Sequence, residues 1–331
     1  MHSLSKRYSK FLVAGGAGFI GSHIVDKLLE TDAEVTVLDN LFTGQRDNIA
    51  QHRHNRNFHF VKGDVRNVKE VKRILEDVDA VFNHAAVVSV RRSVENPLLV
   101  NDVNIKGTLN LLQASLDSDV RRFVQASSAS VYGNVRDLPV HEKIPTNPIS
   151  PYAVSELAAE NYARVYHQVY GLETICLRYF NVYGSRQTYS AYSGVTTIFV
   201  NQLFQNQRPI IFGDGEQTRD FVYVQDVVSA NMLALTGKDS VGDVFNIATS
   251  KETSINKLVQ TLQAVTGKTN LRPVYKEAKP GEIKRSCASI EKARKILGYE
   301  PAFTVEKGLQ KLVEWCRSEP LQNPVRKKAK K

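Results

Sequence analysis

The sequence predicts an α/β protein: a Rossmann-type, doubly wound parallel sheet with a smaller C-terminal substrate-binding α/β part. Two observations carry this. Through the first half, short β-rich runs alternate with stretches of helical apolar spacing, the pattern of parallel strands joined by crossover helices. Directly after the first of those runs stands GGAGFIGS, a glycine-rich turn that opens into a helix.

The expected strands are FLVAG at 11–15, EVTVLD at 34–39, FHFVKGD at 58–64, DAVFNHAA at 79–86, RRFVQASS at 121–128 and ETICLRYFN at 173–181. Between them, Ile24, Leu28 and Leu29, then Val71, Ile74 and Leu75, then Ile105, Leu109 and Leu112 recur at helical spacing. The stretch after Pro151 gathers Val154, Leu157, Ala158, Tyr162, Val165 and Val169 on one broad helical face. Past about residue 182 the alternation becomes irregular. GDGEQTRDF at 213–221 and KEAKPGEIKRS at 276–286 read as loops, with helices near 224–236, 254–266 and 305–316. The resulting division is a Rossmann domain at 1–182, a smaller second domain at 183–323 with some elements packed back on the sheet, and a basic tail at 324–331.

Composition narrows the classes. The chain has 331 residues, 42% of them hydrophobic, enough for a substantial core. No apolar run approaches the ~18 residues of a membrane span. Lys6, Arg7 and Lys10 precede FLVAGGAGFI in the manner of a signal peptide, but the glycines and the lack of a small-residue cleavage site mark it as a first strand and loop. Cys176, Cys287 and Cys316 are odd in number and widely spaced. They suggest neither a disulfide framework nor a metal site, and a reducing, cytoplasmic setting is expected. Of the net charge of +10, five charges fall in 324–331 and three in 1–10, leaving +2 for the body. Such terminal basicity suits a solvated tail better than a nucleic-acid surface, and membrane insertion is not expected.

Gly15, Gly18 and Gly21 recur at every third position at the strand–helix turn. Glycine there lets the backbone turn tightly and approach a pyrophosphate, which rests on the positive end of the helix dipole. A second strand follows and ends in Asp39, 18 residues after Gly21. A carboxylate at that strand end accepts hydrogen bonds from the adenosine ribose and repels a 2′-phosphate, which favours NAD over NADP. Further on, Ser128 ends the fifth strand in ASSASVYG, Tyr152 follows in SPYAVSE, and Asn104 lies on the helix that precedes them. Singly, each has an ordinary reading: a turn serine, a packing tyrosine, an exposed asparagine.

Together they resemble the extended short-chain dehydrogenase/reductase family, and within it the nucleotide-sugar 4-epimerases. The likeness covers roughly residues 9–318 and includes GGAGFIGSH, LDNLFTGQRDNI, GDVRN, NHAAVVSVRRS, NIKGTLNLL, ASSASVYG, SPYAVS, LRYFNVYGSRQ, GDGEQTRDFVYVQDVV, FNIA and PGEIKRS. The resemblance implies Tyr152 as acid/base at the sugar 4-hydroxyl, Ser128 as its hydrogen-bonding relay, and Asn104 as support for the active-site water structure. It implies Asp64 and Val65 beside the adenine, and Asn40, Thr43 and Gly44 along the adenosine ribose. Phe19, Ile20, Ala85 and Ala86 complete the implied cofactor contacts. On the substrate side it implies Ser89, Asn181 at the sugar-nucleotide diphosphate, Arg219 at diphosphate or uridine, and Lys279 where the family usually has a bidentate arginine. Ser286 of KRSCAS falls at a wall position beside the sugar. A small residue there leaves room for an acetamido group, and RYFNVYGSRQ resembles the N-acetyl-accepting branch; UDP-GlcNAc is therefore expected to enter alongside plain UDP-hexoses. A homodimer paired through helices near 101–116 and 152–169 is implied as well.

One departure stands out. The family motif is Tyr-x-x-x-Lys, and here the fourth residue after Tyr152 is Glu156. The usual lysine holds the nicotinamide ribose and lowers the tyrosine pKa. At ~5 Å and an effective dielectric of ~20, each unit of charge is worth on the order of 3 kcal/mol, or about two pKa units. A carboxylate in its place should suppress the phenolate and impair the enzyme. A lysine at 156 should then raise the rate, unless the active site has been rebuilt around the carboxylate. The 4,6-dehydratases of the same fold place an Asp-Glu pair after the active-site Ser/Thr, whereas Ser128-Ala129-Ser130 carries no carboxylate. A UDP-uronic-acid epimerase or decarboxylase, and a catalytically silent NAD/UDP-sugar-binding protein, remain as alternatives.

Overall fold

The computed structural model describes residues 8–188, 194–278 and 283–318. Its centre is a seven-stranded, all-parallel sheet: β1 (Lys10–Ala14), β2 (Glu34–Asp39), β3 (Phe58–Lys62), β4 (Ala80–Asn83), β5 (Arg122–Ser128), β6 (Thr174–Tyr179) and β7 (Val244–Ile247). The spatial order is β7-β6-β5-β4-β1-β2-β3, with every pair parallel. This is the doubly wound Rossmann arrangement, and the order reverses between β1 and β4, where such sheets bind ligands. The runs at 11–15, 34–39, 58–64, 79–86, 121–128 and 173–181 all form strands: 34–39 matches end to end, the first strand is shifted back by one residue, and the other four are trimmed by one to three residues at one or both ends.

Helices cover both faces: α1 (Phe19–Leu29), α2 (Val68–Leu75), α3 (Gly107–Asp117), α4 (Pro151–Tyr170) and α5 (Val224–Thr236). Their ends follow from local chemistry. Ser150 Oγ accepts from Ala153 N at 3.1 Å, Pro151 occupies the first turn where its missing N–H costs nothing, and Gly171 closes α4 in the left-handed conformation. Asn67 caps α2 in the same way. One apolar layer packs Phe11, Val13, Ile24, Val37 and Phe82 under α1 and α5, and the other packs Leu12, Val81, Leu111, Leu112 and Phe123 under α2 and α3.

The later half builds a third apolar cluster around Phe199, Phe221, Leu258, Leu262 and Leu312. Helices Ile255–Thr266 and Val305–Ser318 contribute to it, close to the expected positions. The expected loop at 213–221 carries the two-residue strand Thr218–Arg219 and the start of Phe221–Tyr223. Strand β7 and helix α5 return from this half to the main sheet.

The apolar stripe of α4 faces outward, the side on which pairing with a second copy is expected, and the helix turns a different face to the sheet. It buries Ala153, Glu156, Ala159, Glu160 and Ala163 toward the sheet, while Val154, Tyr162, Val165 and Val169 are 40–64% exposed. Small side chains let the helix approach the strands closely, and Glu160 enters because Arg178 awaits it on β6. Cys176, Cys287 and Cys316 are free and buried. Among the described residues no helix is long and apolar enough to cross a membrane, and no His/Cys/Asp/Glu group could hold a metal.

Candidate active site

A cleft opens at the carboxyl ends of β1, β2, β3 and β4, on the reversal of strand order. Gly15, Gly18, Asp39, Asn40, Thr43, Val65, Ala85 and Ala86, all singled out from sequence, line it. Its glycine floor is sterically obligatory. Gly15 has φ +76°, and a Cβ there would lie 2.5 Å from the His84 carbonyl oxygen. At Gly21, on the first turn of α1, a Cβ would lie 2.3 Å from the Gly15 carbonyl oxygen. Phe19, Ile20 and Gly21 form that first turn, and no side chain caps it. Its amide groups are thus left for an anion.

Asp39 is fixed by Ala17 N (3.0 Å) and Leu41 N (2.8 Å), and its carboxylate backs onto Gly44. Burial raises its pKa, and the two backbone donors oppose the rise. Asp64 does not line the cleft; it holds Arg66 bidentately at 2.9 and 2.8 Å and accepts from Asn40 Nδ2 at 2.9 Å. The guanidinium pulls the Asp64 carboxyl well below its usual range. Arg66 does line the cleft, and sequence reasoning missed it, though GDVRN placed it two residues from Asp64. Its charge is already matched by Asp64, so a 2′-phosphate would meet Asp39 with no free cation from this pair. Phe42, His84, Leu99 and Val103 also line the cleft without having been singled out. His84 is held neutral by burial, at about 3, with Nε2 3.1 Å from Tyr179 Oη.

Beside this cleft stands the group expected to move protons. Tyr152, on the first turn of α4, is 8% exposed. Burial drives its pKa well above the ordinary tyrosine value, the negative charge of Glu156 adds to the rise, and hydrogen bonding with Ser128 opposes it. The helix N-terminus favours an anion there, but only by about 0.3–1 kcal/mol, too little to offset burial. Glu156, one turn on, is 7% exposed and pushed up to about 8, by burial first and by Glu160 second. Asn104 lies in a π-helical stretch, Asn101–Lys106, a form of helix frequent at functional sites. It ties the region together: its Oδ1 accepts from Val87 N at 2.8 Å, and its Nδ2 reaches Ser155 Oγ at 3.0 Å and Glu156 Oε1 at 3.3 Å. Behind it, Glu160 accepts two bonds from Arg178 (2.8 and 2.5 Å) and one from Ser127 Oγ (2.7 Å).

Of the remaining substrate-side residues, Asn181, Arg219 and the segment holding Ser286 gather around Asp220, while Ser89 lies on a separate element. Ser89 caps the helix Val90–Glu95, its Oγ accepting from Arg92 N at 3.1 Å. Asn181 donates to the Asp220 carbonyl at 3.3 Å, Arg219 donates to the Thr218 carbonyl at 2.8 Å, and Ser286 is half-buried. Lys279 lies outside the described residues.

The sequence profile of the GDP-mannose 4,6-dehydratase family matches residues 12–312. The chain belongs to this family of NAD-dependent epimerases and dehydratases. Its fold superposes on that of UDP-glucose 4-epimerase from Thermotoga maritima, determined with UDP-glucose, at a TM-score of 0.88 and 40% identity over 93% of this chain and 98% of that one. UDP-N-acetylglucosamine 4-epimerase from Methanobrevibacter ruminantium, in complex with UDP-N-acetylmuramic acid, gives 0.90 and 36% over 95% and 99%. UDP-glucose 4-epimerase from Thermus thermophilus, in complex with NAD, gives 0.84 and 36% over 93% and 99%. Such relatives place the chain among nucleotide-sugar 4-epimerases, a group that includes enzymes for UDP-glucose, UDP-GlcNAc and UDP-glucuronate. NAD is the cofactor of this family, and the glycine floor and Asp39 fit it.

Proposed function

We propose that this protein interconverts UDP-hexoses at sugar carbon 4, UDP-GlcNAc/GalNAc included. The observation that carries the reading is the grouping of Tyr152 with Ser128 beside the dinucleotide cleft, with no carboxylate in Ser128-Ala129-Ser130 to eliminate water. NAD, when bound, supplies the acceptor for a hydride from carbon 4. The chain's own residues do the rest. The glycine turn and α1 seat the pyrophosphate, Asp39 holds the adenosine ribose, and Asn40, Thr43 and Val65 complete that end. Tyr152 and Ser128 manage the proton of the 4-hydroxyl, while Asn181, Arg219 and Lys279 are assigned to the UDP moiety. The test is a panel of UDP-sugars incubated with the purified protein, with products separated by chromatography and the dinucleotide released by denaturation identified. We expect bound NAD(H) and conversion of UDP-glucose and UDP-GlcNAc. Conversion of UDP-glucuronate alone would transfer the reading to the uronic-acid branch, and ligand binding without turnover would make the protein a silent binder.

The exposed stripe Val154, Tyr162, Val165 and Val169 on α4, next to Val90, Val94 and Leu98, suits a second copy of the chain. A homodimer is expected by light scattering at micromolar concentration, and Val165→Glu should convert it to monomer.

A further inference from the structure

We propose that Glu156 is the proton acceptor behind Tyr152, so that the pair moves the substrate proton as a relay without a cation-stabilised phenolate. This rests on the epimerase reading above and concerns the one position where the chain departs from the Tyr-x-x-x-Lys pattern.

The geometry supports a relay. Tyr152 and Glu156 lie one helical turn apart on the same face of α4, the spacing at which helical side chains meet; both are more than nine-tenths buried, and each shifts the other's pKa. Asn104 Nδ2 fixes one Glu156 oxygen at 3.3 Å. A lysine would have served Tyr152 by its charge, and among the described residues no cation acts on Tyr152 or Glu156 in its place. Arg178, on the facing strand, directs its Nε and Nη2 to Glu160, its guanidinium lies 4.6 Å above the Tyr132 ring, and its Nη1 has no hydrogen-bond partner among the described residues. The titratable and charged groups around Glu156 are few. Its own helix brings Tyr152 and Glu160, and β6 brings Arg178 and Cys176. The stretch 101–106 brings Asp102, which faces Arg66, and Lys106, which is exposed. The helix Val90–Glu95 brings Arg91, paired with Glu95, and Arg92, over Phe42. A buried carboxyl with no cation beside it keeps its proton until about pH 8. Above that pH it is a far stronger base than the water-exposed carboxylates of the surface.

The proton balance is simple. As carbon 4 is oxidised, the sugar O–H bond breaks and its proton passes to Tyr152 Oη, whose own proton passes to Glu156. The electron pair left on the sugar oxygen forms the carbonyl. On return of the hydride, Glu156 gives its proton to Tyr152, and Tyr152 gives one to the oxygen at carbon 4. Tyr152 is neutral before and after each half-reaction, so its high pKa is no obstacle.

The experiment uses the NAD-loaded protein with UDP-glucose. The wild-type kcat should rise with pH through about 8 and level off above it. Glu156→Gln should lose at least a hundredfold in kcat at pH 9, with little change in KM or in bound NAD. Glu156→Asp should regain part of the rate together with the pH rise, and Glu156→Lys should not exceed wild type at pH 9. A structural role would lower stability without moving the pH profile. Independently of turnover, infrared difference spectra should show a carboxylic-acid C=O band that is absent in Glu156→Gln, disappears as pH rises through about 8 and shifts in Tyr152→Phe. A kcat flat from pH 6 to 10, near-normal Glu156→Gln activity, or a band indifferent to Tyr152→Phe would overturn the relay while leaving the epimerase reading intact. A wild type that turns over no UDP-sugar at any pH overturns that reading, and the infrared band then decides alone whether the pair shares a proton.

Discussion

The two ends of the cleft are made of different material. At the dinucleotide end, recognition resides in the main chain: a left-handed glycine, carbonyl oxygens that exclude any Cβ, amide groups of a helix start, and one carboxylate held by two backbone N–H groups. At the proton-transfer end it resides in buried side chains that depend on one another: Tyr152 on Ser128 and Glu156, Glu156 on Asn104, Glu160 on Arg178. A main-chain site tolerates almost no substitution at its glycines. A buried side-chain network tolerates exchange at one member if the others re-pair, which is how a glutamate can stand where a lysine is usual.

The contrast is broken most directly at Gly21. With a Cβ 2.3 Å from the Gly15 carbonyl, Gly21→Val should reduce NAD affinity at least a hundredfold, measured by titration calorimetry. Near-normal binding would mean the main chain is not the determinant. Next in size is the pH response of stability. Glu156 titrates near 8 in the folded chain against an ordinary 4.5, so between those values the native state holds a proton that the unfolded chain has released. Stability should therefore fall as pH rises from about 4.5 to 8 and flatten above, by up to several kcal/mol. Denaturation of Glu156→Gln should lack this slope, and an unchanged slope would place its origin elsewhere. Asn104→Ala should cost about 1–3 kcal/mol, because it strands the Val87 N–H and releases Glu156; urea denaturation measures it. The smallest effect is expected at Ser286→Tyr, a selective loss of about tenfold for UDP-GlcNAc against UDP-glucose, since a close-packed wall cannot yield to the acetamido group. Equal loss of both substrates would remove Ser286 from the sugar wall.

How much of this was legible in the sequence follows the same divide. Six of the seven central strands, the glycine turn and Asp39 could be read because each depends on a local pattern: alternation, a glycine spacing, an acid at a strand end. The seventh strand, VFNI at 244–247, escaped because one short apolar run has no period to distinguish it from loop or helix. What α4 turns toward the sheet was hidden for another reason. Its most apolar stripe faces outward, and what it buries includes two glutamates whose acceptance depends on Arg178 and Asn104, 18 and 52 residues away along the chain. Arg66 was passed over because its place on the cleft wall exists only once the strands are assembled; its pairing with Asp64, two residues away, is local.

The route of the chain from β6 out to the third apolar cluster and back to β7 has a consequence for how such a protein can be divided. Cys176, Leu177, Arg178 and Tyr179 pair on one side with β5 and on the other with residues 244–247. Arg122, at the start of β5 and wholly enclosed, ends its guanidinium on the carbonyl oxygens of Ala234 and Gly237 at 3.0 and 2.8 Å. A fragment ending near residue 182 would expose β6 as an open edge, strip α5 from the back of the glycine helix and leave Arg122 with Glu173 but without the two carbonyl oxygens that hold its Nη1. The nucleotide-binding half is therefore not a cassette that recombination could lift out whole. New substrate ranges in this architecture have to arise by changing side chains and loops in place.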